Sequence, residues 1–167
     1  MDFPSPTGPA APLDEVFLQY LDYCRERVIE KVASLPLDAL IVSVVPTDWT
    51  ALELVKHLTY VEMRWLEWGF EGQAVDEPWG EHVGDHWCIG PDDSLDSLVR
   101  ELRARGLRTA AIVHRHELDD QGQPGPRWEG HEPATLERVL FHLLQEYARH
   151  LGHLDVYAEM ADGKVGE

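Results

Sequence analysis

Thr135-Leu-Glu-Arg-Val-Leu-Phe-His-Leu-Leu-Gln-Glu-Tyr-Ala-Arg-His-Leu-Gly-His-Leu-Asp155 reads as one long amphipathic helix. Leu140, Leu143, Leu144, Tyr147, Leu151 and Leu154 recur at three- and four-residue steps and share one face. The pattern predicts a start near Pro133 or Thr135, a run to about Met160, and a stop at Gly163 and Gly166. Three more stretches carry the same period. Leu13 to Val32 does so through Val16, Phe17, Leu21, Cys24, Val28 and Ile29. A second run starts at Thr50, which with Glu53 has the spacing of a capping box, and ends near Gly69 to Gly72. A third runs from about Ser94 to His116, with Gly106 as a weak point. Between the first two, Leu35 to Asp48 reads as a connector, its β-branched run Ile41 to Val45 being too isolated to pair as a strand. The loops at 72–93 and 117–132 are rich in Gly and Pro and longer than helix connections require. Four amphipathic helices without a convincing strand pair predict an all-α, four-helix bundle with long loops. Residues 1–12, with four prolines, read as a flexible tail, and 13–167 as a single domain.

Charge narrows the function. The 167 residues hold 31 Asp+Glu against 14 Lys+Arg, a net −17. Such a surface lacks the basic patch that phosphate neutralisation needs, so neither nucleic acid nor anionic membrane is expected as a partner. No apolar run reaches a membrane span, and the first residues lack the basic and apolar regions of a secretory signal. Two cysteines, Cys24 and Cys88, are too few for a disulfide framework and lack CxxC spacing. A reducing, cytoplasmic setting is expected. Abundant carboxylates and nine histidines leave nitrogen–oxygen metal coordination open.

The last helix offers such a site. In projection His142, Glu146, His150 and His153 fall on a stripe roughly 80° wide beside the apolar face. Glu146 and His150 stand one turn apart and can converge on one ion. One helix cannot close a tetrahedral site, so another ligand must come from elsewhere. His57, at the border of the second helix's apolar face, is the best placed. His142 and His153 stay open as alternative ligands, and polar packing without an ion is the competing reading. His82 and His86 share the four-residue spacing, but Gly80 and Gly84 argue against a helix there; with Trp79 and Trp87 they are expected to line a pocket mouth. His114 and His116 are expected to face solvent, and His131 lies in a loop. Glu62 falls among Leu58, Val61, Trp65 and Leu66, where a carboxylate needs a partner, and Arg149 is the expected one. If functional, Glu62 and Arg149 would orient a ligand from behind. The arginines between 100 and 108 alternate with Glu101 and read as a solvated face. No nucleophile-centred or phosphate-binding motif is present.

The segments Asp48-Trp-Thr, Lys56-His-Leu, Glu62 with Trp65, Glu146-Tyr-Ala-Arg-His-Leu-Gly-His-Leu-Asp155 and Glu159 to Gly163 resemble the DinB-like superfamily of four-helix bundles. More narrowly they are similar to its actinobacterial mycothiol S-transferase-like branch, over nearly the whole chain from Leu13. The resemblance implies a divalent metal, zinc first, with nickel or manganese as alternatives, held by His57, Glu146 and His150. The superfamily's usual pair on the last helix is HxxxH. Here Glu146 replaces the first His, a form that thiol-dependent members such as mycothiol-dependent maleylpyruvate isomerase share. The implied reaction is transfer of a mycothiol-like small-molecule thiol to a small electrophile. The alternative is a non-catalytic metal- or ligand-binding member. A homodimer stays open.

Overall fold

The computed structural model describes residues 2–162, so the expected stops at Gly163 and Gly166 lie outside the described residues. The elements are α1 (Leu13–Ser34), α2 (Leu37–Ile41), α3 (Ala51–Glu62), a π-helical segment (Met63–Phe70), β1 (His82–Val83), β2 (His86–Trp87), α4 (Leu95–Val113), a 3₁₀ turn (Pro126–Trp128) and α5 (Leu136–Asp162). The fold is an all-α bundle, in which α1, α4, α3 and α5 follow one another around a common core.

Local chemistry sets the helix starts. Thr50 Oγ1 accepts from the Glu53 amide, and Glu53 accepts from the Thr50 amide at 2.7 Å, closing the box that begins α3. Ser94 and Ser97 make the equivalent pair for α4. The expected connector contains the short α2, pinned by Tyr157 of α5, whose hydroxyl donates to the carbonyls of Ala39 and Val42. In the tail, Phe3 packs edge-on against Tyr20 and Tyr23 of α1.

Three expectations need correction. First, the 72–93 loop does hold a strand pair: β1 and β2 are antiparallel, with His82 opposite Trp87 and Val83 opposite His86. Gly84, at φ 61°, supplies the turn residue that a two-residue hairpin needs. Second, the second long helix ends at Phe70, near Gly69 to Gly72 as expected, but from Met63 onward it winds in π geometry, a wider turn that accumulates at functional sites. Third, Glu62 does not meet Arg149. It is buried and accepts from Arg25 Nε at 3.1 Å and Nη2 at 3.0 Å, from Thr109 and from Tyr147. The four long helices thus each give one side chain to a buried polar knot. The pairing holds Arg25 above its ordinary pKa even though burial opposes its charge. Gly106, a weak point for helix propensity, is required here: a Cβ would lie 2.5 Å from Arg25 Cζ. The guanidinium fills the space a side chain would take.

Candidate metal centre

Antiparallel packing of α3 on α5 sets the site. His57 projects from the middle of α3, and Glu146 and His150 from the middle of α5. One ligand atom from each can be chosen so that all three lie within 4.8 Å of one another. His150 Nε2 and Glu146 Oε2 are 3.3 Å apart, and the His57 and His150 rings meet edge to face at 5.0 Å.

The donor set fits a first-row divalent cation. Burial pushes the His150 imidazole down to about 3, helped by His57, Arg149 and His153 nearby. Burial also lowers His57, with the Arg64 charge adding to it. Both rings are therefore neutral near pH 7, the state that ligates metal. Both ring nitrogens of His150 are buried without a hydrogen-bond partner. A buried polar atom left unpaired costs about 1–3 kcal/mol, and a coordinate bond would remove part of that cost.

A carboxylate that the sequence pattern did not single out stands behind His57. Glu81, at 0% exposure, places Oε1 3.6 Å from His57 Nδ1 and 3.3 Å from His82 Nδ1, and is ion-paired to Arg64. At 3.6 Å the His57 contact is electrostatic rather than a full hydrogen bond. Burial alone would raise the Glu81 carboxyl; His57 and the Arg64 guanidinium outweigh it and hold it below the usual range. Such a carboxylate orients a ligating imidazole and raises its basicity. Glu81 lies in a loop, outside any helical period, and its only sequence signal is its place beside the β1 strand.

The same loop roofs the site. Trp87 of β2 stacks on His57 with ring centroids 4.2 Å apart and planes 19° apart, and sits 5.7 Å from His150. Trp49 continues the aromatic wall beside Trp87, Tyr157 and His153. The loop is fastened to α3 and the π segment by Lys56–Asp93 at 2.8 Å, by Arg64 donating to the Pro78 carbonyl at 3.2 Å, and by Arg64 lying over Trp79. Gly80 is needed for the close approach of Tyr60, whose hydroxyl a Cβ would meet at 2.6 Å.

The other sequence candidates separate. His153 is exposed and meets the His150 ring edge-on at 5.3 Å, outside the three-ligand cluster. His142 is half-buried one turn before Glu146, with its ring 4.5 Å from Trp65. Arg149 lies 3.6 Å from Glu146 and is exposed. His86 is exposed; His82 turns toward Glu81. His114 is exposed as expected, whereas His116 is half-buried against Phe70. Arg103, Arg105 and Arg108 pair with Glu26, Glu67 and Glu101. A cleft of about 530 Å³, lined by Lys56, Tyr60, Asp93 and Arg105 among others, lies between α3 and α4 and includes none of the three ligands. No described helix is long and apolar enough to cross a membrane.

Residues 16–163 match the family model described as Mycothiol-S-transferase. A solved structure described as the conserved protein of locus from Enterococcus faecalis superposes with a TM-score of 0.61. It shares 15% identity, and the alignment covers 93% of this chain and 100% of that one, a likeness of fold alone. No curated protein matches significantly. The chain belongs to the mycothiol S-transferase family, within the DinB-like bundles.

Proposed function

We propose that this member of the mycothiol S-transferase family joins a low-molecular-weight thiol of the mycothiol kind to a small electrophile, beside a divalent cation held by His57, Glu146 and His150. The observation that carries this reading is the convergence of the three ligand atoms within 4.8 Å, with both nitrogens of His150 buried and unpaired. Two imidazoles and one carboxylate suit zinc first, with nickel or manganese as alternatives. Three protein ligands leave room for an exogenous one. A cation so held supplies Lewis acidity that lowers the pKa of a coordinated thiol.

The chain's own residues prepare that chemistry. The low pKa values of His57 and His150 keep protons off the ligating nitrogens. Glu81, anchored by Arg64, fixes the His57 ring from its Nδ1 side. Trp87 covers His57 and limits water at the cluster.

The test is a conjugation assay with zinc-loaded, untagged protein, a panel of small thiols including mycothiol, and a panel of small electrophiles. The reading predicts saturable thioether formation, lost with His150→Ala. Metal uptake without turnover of any thiol–electrophile pair would overturn transfer and favour a metal-binding member without this activity.

A further inference from the structure

The two halves of the ligand cluster are supported unequally. On α3, His57 has Glu81 behind its Nδ1 and Trp87 stacked on its ring. On α5, His150 has no hydrogen bond at either ring nitrogen. Glu146 faces only His150 at 3.3 Å and the exposed Arg149 at 3.6 Å, both on its own helix. No hydrogen bond from outside α5 fixes either side chain. Their aim toward His57 therefore depends on how α5 is seated on α3.

That seating is sensitive. Side-chain atoms stand about 5–6 Å from a helix axis, so a roll of about 10° carries a ligand atom about 1 Å. Metal–ligand distances tolerate only about 0.2 Å. Apolar packing is non-directional and opposes such a roll weakly. A hydrogen bond is directional. Among the described residues one hydrogen bond joins α5 to α3: the Tyr147 hydroxyl donates to Glu62 Oε1. Tyr147 is fully buried and directly follows the ligand Glu146.

The acceptor is itself held. Glu62 Oε1 accepts from Arg25 Nε at 3.1 Å and Nη2 at 3.0 Å; Oε2 accepts from Nη2 at 3.2 Å and from Thr109. Arg25 and Thr109 belong to α1 and α4, which carry no ligand. Glu62 is thus a post clamped from two sides, and Tyr147 hooks the ligand-bearing helix onto it. A buried ion pair adds little stability over apolar packing of the same volume. What this one adds is a single allowed orientation.

We propose that Tyr147, hooked on Glu62, is a positioning residue for the metal centre: it sets the roll of α5 that brings Glu146 and His150 to His57. The inference rests on the metal centre of the proposed function and is independent of its thiol chemistry. Through this hook, α1 and α4 act on cation affinity without touching the cation.

The test compares two substitutions that each remove one hydroxyl from the same carboxylate. Tyr147→Phe unhooks α5, and Thr109→Val unhooks α4. Untagged, chelator-stripped protein is titrated with zinc by calorimetry, and metal-free melts verify that each variant folds. Both variants should melt below wild type. Tyr147→Phe should weaken zinc binding by about ten-fold, as loss of a group supporting a ligand does, while Thr109→Val stays within about two-fold of wild type. Glu62→Asp, which draws the acceptor back by one methylene and keeps a carboxylate beside Arg25, should repeat the loss without altering α5. Cobalt(II) supplies a second readout, because its visible band follows coordination geometry. The band should change in Tyr147→Phe and match wild type in Thr109→Val. Zinc affinity and cobalt band both unchanged in Tyr147→Phe overturn the positioning role. Equal weakening in Tyr147→Phe and Thr109→Val overturns it too, since a general loosening of the bundle then accounts for both. Wild type that takes up no zinc removes the metal centre itself, a result distinct from a wild-type site that Tyr147→Phe leaves intact.

Discussion

Glu81 and His150 carry the residue-scale account. His150 is neutral and buried in the folded chain, with its pKa down to about 3, whereas an unfolded histidine titrates near 6.5. Below that ordinary value the unfolded chain binds a proton that the folded chain refuses. Its contribution is therefore complete above about pH 6.5 and is lost as pH falls toward 3, at about 1.4 kcal/mol per unit. Metal-stripped wild type should lose more thermal stability between pH 7 and 5 than His150→Gln does; equal losses would contradict a proton-excluding site. Glu81→Gln should keep the fold and weaken zinc affinity by about 10- to 100-fold, the usual effect of removing a carboxylate behind a ligating imidazole. His57 and His150 were legible in the sequence because helical spacing predicts faces. Glu81 was not, because no period governs a loop and its burial depends on where the loop docks.

At the scale of elements, the polar knot and the loop dominate. Glu62 stood out as a carboxylate on an apolar face, but its partner could not be read. Spacing along one helix says nothing about which of three neighbours approaches, and Arg25 of α1 takes the place expected for Arg149. Glu62→Gln leaves buried Arg25 with only the partly exposed Asp22 as its anion and should cost about 3 kcal/mol, measured by denaturant unfolding. Gly106→Ala is a sharper test of the same knot. Helix propensity favours Ala by about 1 kcal/mol, while overpacking against Arg25 costs about 1–3 kcal/mol. The net effect should be destabilising, and a stabilised variant would mean that the guanidinium does not fill that space. The π segment also escaped the sequence, since a change from α to π geometry leaves the apolar spacing of Leu58, Trp65 and Leu66 nearly intact. The hairpin was signalled by Gly84-Asp85 between two short apolar–polar pairs, a cue weaker than the surrounding glycines.

Over the whole molecule, the bundle was the most legible feature. Four apolar periods and the Thr50–Glu53 capping box agree with the structure, and tertiary packing overrides none of them. The charge of −17 speaks to solubility and partners, and the chemistry depends on the few carboxylates that the fold takes out of water. A cation bound only by the folded chain stabilises all of it at once, by about 2.7 kcal/mol at a hundred times its dissociation constant. The most direct measurement is zinc titration of untagged, chelator-stripped protein by calorimetry, with melting followed in parallel, for wild type and the His57→Ala/His150→Ala double variant. The account predicts one ion per chain and a raised melting temperature in wild type, with neither in the double variant. No saturable uptake by wild type, or the same uptake by the double variant, would contradict a metal centre at His57, Glu146 and His150.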